Sequence, residues 1–94
     1  MILLLAMVSL GKSECPEFDV IYDGDMLADM GFTEGWEPCG SLCFNWEDGS
    51  CKFWTWYPGG VCYLQGANAQ KFTDARHISG DSNCYEQTVK KANI

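Results

Sequence analysis

Short apolar segments alternate with polar turns along the chain, and this pattern predicts several short strands. The segments span residues 18–22, 26–30, 52–57, 61–65 and 75–79. Asp23-Gly24 is expected to close the first strand and Gly31 the second. Pro58-Gly59-Gly60 is a turn sequence between the two most apolar segments, so these two are predicted to form a hairpin.

One segment has helical rather than strand periodicity. Its apolar positions recur at spacings of three and four and would share one helical face. They are Trp36, Cys39, Cys43 and Trp46. The pattern predicts a helix over Trp36–Trp46, with Thr33 as its N-terminal cap and Pro38 within its first turn. Asp48-Gly49 is expected to end it.

Alternation along the predicted hairpin assigns its side chains to two faces of a sheet. If Cys62 is bridged to the helix, Leu64 shares its face, and we assign Trp54 and Trp56 of the partner strand to the core beneath the helix. The predicted core residues are Trp36, Trp46, Trp54, Trp56 and Leu64. Phe53, Tyr57 and Tyr63 then lie on the opposite face, which is either covered by the terminal strands or offered to a ligand.

Six cysteines in 94 residues change the picture from a plain α+β domain to a disulfide framework formed in an oxidising compartment. They are Cys15, Cys39, Cys43, Cys51, Cys62 and Cys84. A zinc site would need close CxxC or CxxH pairs, which the sequence lacks, and His77 is its single histidine. We therefore predict no metal and no cofactor. Sequence alone permits fifteen disulfide pairings.

The formal net charge of −7 argues against binding to nucleic acid and to anionic membranes. The acidic residues are scattered, which is typical of a solvated surface that keeps a secreted domain soluble. Asp23, Asp25 and Asp29 offer an alternative, a cation site, but they lack the spacing of an EF-hand loop.

The two ends of the chain differ from its middle. Residues 1–11 form an apolar run that is too short to span a bilayer and resembles the hydrophobic region of a signal peptide, with Ser9 and Gly11 as small residues near its end. Residues 12–84 are predicted to form one domain, and residues 85–94 a polar C-terminal tail. These features predict a secreted, extracellular protein with no membrane insertion.

The order of the cysteines and aromatic residues carries a family resemblance. Cys39-Gly-Ser-Leu-Cys43 falls on the predicted helix, and Cys51 follows it. An aromatic strand, Phe53-Trp54-Thr55-Trp56, then precedes Cys62-Tyr63-Leu64 and a closing Ile78-Ser79-Gly80…Cys84. This order resembles the PAN/Apple module, particularly the small apple modules of apicomplexan microneme-type surface adhesins.

The resemblance implies an α+β fold in which one helix is cradled by a curved antiparallel sheet. It also implies the disulfides Cys15–Cys84, Cys39–Cys62 and Cys43–Cys51. The first of these would close nearly the whole domain and stabilise it most, by about 4 kcal/mol.

Catalysis finds little support in the sequence. With every cysteine bridged no thiolate nucleophile remains, and a Ser-His-Asp arrangement would have to use His77 without a Gly-x-Ser-x-Gly turn. A lone histidine in a short strand is more often structural. We therefore expect a binding protein rather than an enzyme.

The resemblance implies recognition of proteins or carbohydrates on cell surfaces or in the extracellular space. Aromatic rings that stack on sugars point to Tyr57 and Tyr63, with Gln65, Lys71 and Asp74 nearby in sequence. The alternative is that both tyrosines merely cover the sheet. Two functions remain open at this point: an adhesion-type module, and a free-standing secreted inhibitor or effector that blocks a target protein.

Overall fold

The computed structural model describes residues 15–85, which form an α+β domain with one helix and a five-stranded antiparallel sheet. The strands are β1 (Glu17–Asp23), β2 (Met26–Phe32), β3 (Phe53–Trp56), β4 (Val61–Gln65) and β5 (Gln70–Asp81), and the helix is α1 (Trp36–Phe44). The strand order is β1-β5-β3-β4-β2. The signal-like segment 1–11 and the tail beyond residue 85 lie outside the described residues.

The longest strand, β5, is much longer than the predicted segment 75–79. Its first residues, Gln70–Thr73, pair with β1, and its last, Ile78–Asp81, pair with β3. Every residue from Gln70 to Arg76 is exposed, so this half of the strand carries no apolar alternation that the sequence could reveal.

The helix begins at Trp36 as predicted but ends at Phe44, two residues early. The backbone N–H of Trp46 donates to the Cys43 carbonyl, three residues back, at 3.1 Å, so the chain leaves the helix through a tighter turn. The predicted cap is wrong: Gly35 occupies the N-cap position, and the Thr33 hydroxyl donates to the Gly35 carbonyl at 2.9 Å.

The core lies between the helix and one face of the sheet. Trp54 and Leu64 are completely buried there and are paired across β3 and β4, with Trp56 opposite Cys62 on the same face. Trp36 stacks on Trp54 with ring centroids 5.6 Å apart. Two of the five predicted core residues, Trp54 and Leu64, are thus confirmed. The other three, Trp36, Trp46 and Trp56, are partly buried and pack against the buried core cluster.

Three disulfides hold the helix and the ends of the domain in place. Cys39–Cys62 joins α1 to β4, Cys43–Cys51 joins α1 to the loop before β3, and Cys15–Cys84 joins the residues that flank β1 and β5. These are the same three pairs that the family resemblance implies. Residues 15–85 contain no free cysteine.

The β1–β5 pair covers one end of the sheet face opposite the helix. The sequence left open whether the terminal strands cover this face, and at this end they do. Tyr22 of β1 stacks on Phe53 with centroids 4.3 Å apart. Its backbone N–H donates to the hydroxyl of Thr55, which is completely buried. The Ser79 hydroxyl also contacts that of Thr55, at 2.9 Å. Within residues 15–85, the β1–β5 pair leaves the other end of this face, around Tyr57 and Tyr63, without such a cover.

Replacing Gly40 by alanine is expected to destabilise the domain although alanine favours helices. An added Cβ would collide with the Cys84 carbonyl oxygen and lie 3.2 Å from Nε1 of Trp54. Overpacking of this kind costs about 1–3 kcal/mol, more than the roughly 1 kcal/mol gained in helix propensity. Urea unfolding with the disulfides intact measures the change, and Ser41→Ala on the same helix serves as the control. A Gly40→Ala variant more stable than the wild type would contradict this packing.

Candidate functional site

Three aromatic side chains meet on the face opposite the helix, at the end that the β1–β5 pair does not cover within residues 15–85. Tyr57 directly follows β3, Tyr63 lies in β4 and His77 lies in β5. The Tyr57 ring makes edge-to-face contacts with both others, with centroids 4.8 Å from Tyr63 and 4.5 Å from His77. All three side chains are partly buried. We call Tyr57, Tyr63 and His77 the aromatic cluster.

The hairpin turn places the two tyrosines together. Tyr63 is paired with Thr55, so it shares the face opposite Trp54 and Leu64. The backbone N–H of Tyr57 donates to the Val61 carbonyl at 2.9 Å, which extends the hairpin by one pair beyond β3. Gly59 and Gly60 both have positive φ, which lets the chain turn immediately after Tyr57.

A bulge brings His77 to the same place. The register of β1 and β5 jumps between Phe18 and Val20, so residues 74–77 of β5 lie opposite Asp19 alone. Asp19 and Arg76 both adopt left-handed backbone conformations, and an Asp19 carboxylate oxygen accepts the Arg76 backbone N–H at 2.9 Å. Bulges of this kind re-aim side chains and are common beside functional sites.

The His77 ring is fixed by its polar contacts. Nδ1 lies 2.9 Å from the Ala75 carbonyl oxygen, which can only accept, so we assign the proton of that bond to Nδ1. The same nitrogen lies 3.7 Å from a carboxylate oxygen of Asp74, whose side chain is 52% exposed. Asp74 therefore places an accessible carboxylate at the edge of the aromatic cluster.

Glu17, Tyr22 and Lys71 form a group of hydrogen-bonded side chains between β1 and β5. Glu17 is buried, and its carboxylate accepts the Tyr22 hydroxyl at 2.7 Å and the Lys71 ammonium at 2.9 Å. Burial of the Tyr22 hydroxyl, and then its hydrogen bond to Glu17, raise the pKa of Tyr22. This group ties β1 to β5 internally.

The five predicted ligand-binding residues are therefore not all together. Tyr57 and Tyr63 are in contact, and Asp74 adjoins them through His77. Lys71 is paired with Glu17 instead. Gln65 is only 3% exposed, so its amide is not offered at the surface. Sequence reasoning missed His77 as a member of the site, because its position depends on a bulge between strands that are distant in sequence.

Raised tyrosine pKa values predict a loss of stability in base. Burial raises the pKa of Tyr57, and the negative charges of Asp23 and Asp74 and the neighbouring Tyr63 add to this. The pKa values of Tyr22 and Tyr57 are higher in the folded state than the value of about 10 in the unfolded chain. Their contribution to the free energy of unfolding is therefore fully present below about pH 10 and is lost as the pH rises through the folded-state pKa values. Urea unfolding at about pH 8 and about pH 11 should show this fall, and Tyr22→Phe should reduce it. A fall of the same size in Tyr22→Phe would contradict the assignment to Tyr22.

Of the three aspartates considered as a cation site, Asp23, Asp25 and Asp29, the last two bond the backbone instead. A carboxylate oxygen of Asp25 accepts the Asn68 N–H, and one of Asp29 accepts the Gly31 N–H, both at 2.9 Å. Within residues 15–85, no group of three or more histidine, cysteine, aspartate or glutamate side chains is arranged to hold a metal ion. No helix in this range is long and apolar enough to cross a membrane.

In comparisons with known proteins, no family model and no curated sequence matches this chain. The structure itself defines the class of protein: a small disulfide-bonded α+β domain with one helix and a five-stranded antiparallel sheet across residues 15–85. Three disulfides indicate an oxidising, extracellular type of environment.

Proposed function

We propose that this chain is a secreted, non-catalytic binding module of the PAN/Apple type that recognises a protein or a carbohydrate. The observation that carries the proposal is the aromatic cluster of Tyr57, Tyr63 and His77, with the exposed carboxylate of Asp74 at its edge. Cell adhesion is the process in which such a module would act.

The chemistry of the aromatic cluster suits recognition. Aromatic rings bind the apolar C–H faces of sugars and the apolar side chains of proteins, while a few polar groups fix the orientation of the ligand. Here the two tyrosine hydroxyls and the Asp74 carboxylate would supply those polar groups. Because the Tyr57 ring is already held by Tyr63 and His77, binding would cost little side-chain entropy.

The scaffold supports the proposal in a second way. The helix, the sheet and the three disulfide pairs agree with the architecture that the PAN/Apple resemblance implies. A cross-linked sheet presents the aromatic cluster from β4, β5 and the residue after β3, rather than from a mobile loop.

The contacts of His77 favour binding over catalysis. Its ring touches Tyr57, its Nδ1 bonds the Ala75 carbonyl, and the same nitrogen lies 3.7 Å from an Asp74 carboxylate oxygen. These contacts do not constitute a nucleophile paired with a base. All six cysteines are held in disulfides, so none supplies a thiolate.

A binding screen tests the proposal. The chain is produced under oxidising conditions, its three disulfides are verified by mass, and it is displayed as a tetramer so that avidity makes even weak binding detectable. We expect dose-dependent binding to one class of glycan, or to one protein on an array of extracellular domains, that is lost after reduction and alkylation. Folded tetramers that bind nothing on either array would contradict the proposal.

A further inference from the structure

A groove runs between the C-terminal half of α1 and the edge strand β2, on the helix side of the sheet. Its volume is about 420 Å³, within the range of binding pockets. It is lined by Met30, Leu42, Asn45, Trp46, Glu47 and Asp48. The aromatic cluster lies on the opposite face of the sheet, so the groove is a separate surface. None of the residues that line it belongs to the predicted ligand-binding set or to the aromatic cluster.

The floor of the groove is apolar and fixed. Met30, Leu42 and Trp46 are partly buried and pack against the core cluster. Met30 lies where the register of β2 and β4 shifts between Asp29 and Gly31, so it is the extra residue of a bulge. Trp46 follows the helix in a turn that the Gly49 N–H closes by donating to the Trp46 carbonyl at 3.1 Å.

The rim of the groove carries two carboxylates that no basic side chain within residues 15–85 neutralises. Glu47 and Asp48 are both exposed. An Asp48 carboxylate oxygen accepts both the hydroxyl and the backbone N–H of Ser50, at 2.6 and 2.9 Å, and these bonds lower the pKa of Asp48. Within residues 15–85 the close contacts between a basic and an acidic side chain are Lys71–Glu17 and His77–Asp74, so neither rim carboxylate has a basic side chain beside it in this part of the chain.

We infer that the groove is the docking site for a basic segment of a partner protein, one that lays the stem of a lysine or arginine side chain on Met30, Leu42 and Trp46. The cation would then reach Glu47 and Asp48. Long basic side chains cover apolar surface with their methylene groups while their charged ends stay at the rim, and a tryptophan ring adds a cation–π attraction. The charge excludes a second copy of this chain as the favoured occupant, because each copy carries a net charge of −7.

Nuclear magnetic resonance of the ¹⁵N-labelled chain tests this inference with a defined probe. The probe is a short peptide of alternating arginine and leucine, and its controls replace either every arginine by glutamine or every leucine by serine. At physiological salt we expect the shift changes to concentrate at the Trp46 indole and at residues 45–48. Both control peptides should bind at least about tenfold more weakly.

Two matched charge variants complete the test. Glu47→Gln with Asp48→Asn removes the rim charge while the new asparagine amide keeps an acceptor oxygen for Ser50, and it should weaken peptide binding at least about tenfold. Glu34→Gln with Glu37→Gln removes an equal amount of charge near the other end of α1, and it should change the affinity for the peptide less than about twofold. Equal effects of the two variants would overturn the inference, and so would shift changes spread over the surface or centred on the aromatic cluster.

Other occupants are separate outcomes of the same experiment. A glutamine peptide that binds as well as the arginine peptide would indicate a neutral apolar ligand. Shifts that depend on protein concentration in the absence of peptide would indicate a second copy. Either result would overturn the inference about the groove. Neither would bear on the proposed function of the aromatic cluster, which the arrays test separately.

Discussion

A variant with Cys15 and Cys84 both replaced by alanine is expected to lose about 4 kcal/mol of unfolding free energy, the largest loss of any single disulfide removal here. This disulfide joins residues 69 positions apart and so restricts nearly all of the domain of residues 15–85 in the unfolded state. Chain-entropy reasoning gives the stabilisation as a slowly rising function of loop length. Urea unfolding of the variant and the wild type measures the difference.

The matched control is the variant that lacks Cys43–Cys51, whose cysteines are only 8 positions apart. The same reasoning gives about 2.5 kcal/mol for that shorter loop. Both variants keep the Cys39–Cys62 link between helix and sheet. If removal of the short-range disulfide proved the more damaging, loop closure would not be the main contribution of the long one.

Replacing Trp54 by alanine is expected to cost about 3–5 kcal/mol, which is a large part of the stability of a domain this small. The side chain is completely buried and stacks on Trp36. Its indole N–H also donates to the carbonyls of Asp81 and Cys84, at 3.0 and 2.9 Å. The indole thus joins the core to the turn that carries Cys84 and its disulfide to Cys15.

Trp54→Phe separates packing from hydrogen bonding. Phenylalanine keeps an aromatic ring against Trp36 but leaves the two carbonyls without the indole donor, so we expect a smaller loss of about 1–3 kcal/mol. Thermal unfolding followed by near-ultraviolet circular dichroism gives both values. A Trp54→Ala variant within about 1 kcal/mol of the wild type would show that this residue is not the centre of the core.

Local signals in the sequence were sufficient for the central hairpin. The bounds of β4 are those predicted, because a Pro-Gly-Gly turn and alternating side chains specify both the hairpin and its faces. The same alternation placed Trp54 and Leu64 on the helix side and Tyr63 on the other. The adjacency of the two candidate tyrosines follows from this hairpin.

Non-local pairing accounts for most of what the sequence did not reveal. The first half of β5 is polar and exposed, so only its pairing with β1 makes it a strand. His77 reaches the aromatic cluster through a bulge in that same pairing. Trp46 shows a different kind of error: it has helical spacing because it packs on the core from the turn after α1, not because the helix continues.

The two surfaces would give one small domain two roles. The aromatic cluster lies on the sheet face opposite the helix, and the groove of Trp46, Glu47 and Asp48 lies on the helix side. A ligand on one face would leave the other free, so the domain could connect two molecules. The variants proposed for each surface change residues that the other does not contain.

The central claim is that the aromatic cluster binds a ligand, and a parallel array measurement tests it most directly. Tetramers of the wild type, Tyr57→Ala and Phe72→Ala are applied to the same glycan and extracellular-protein arrays, after each is shown to contain three disulfides and a native near-ultraviolet spectrum. Phe72 is an exposed aromatic residue on β5 and serves as the control. We predict that Tyr57→Ala lowers the signal at least about tenfold and that Phe72→Ala leaves it within about twofold. A folded Tyr57→Ala variant that binds as the wild type does would contradict the claim.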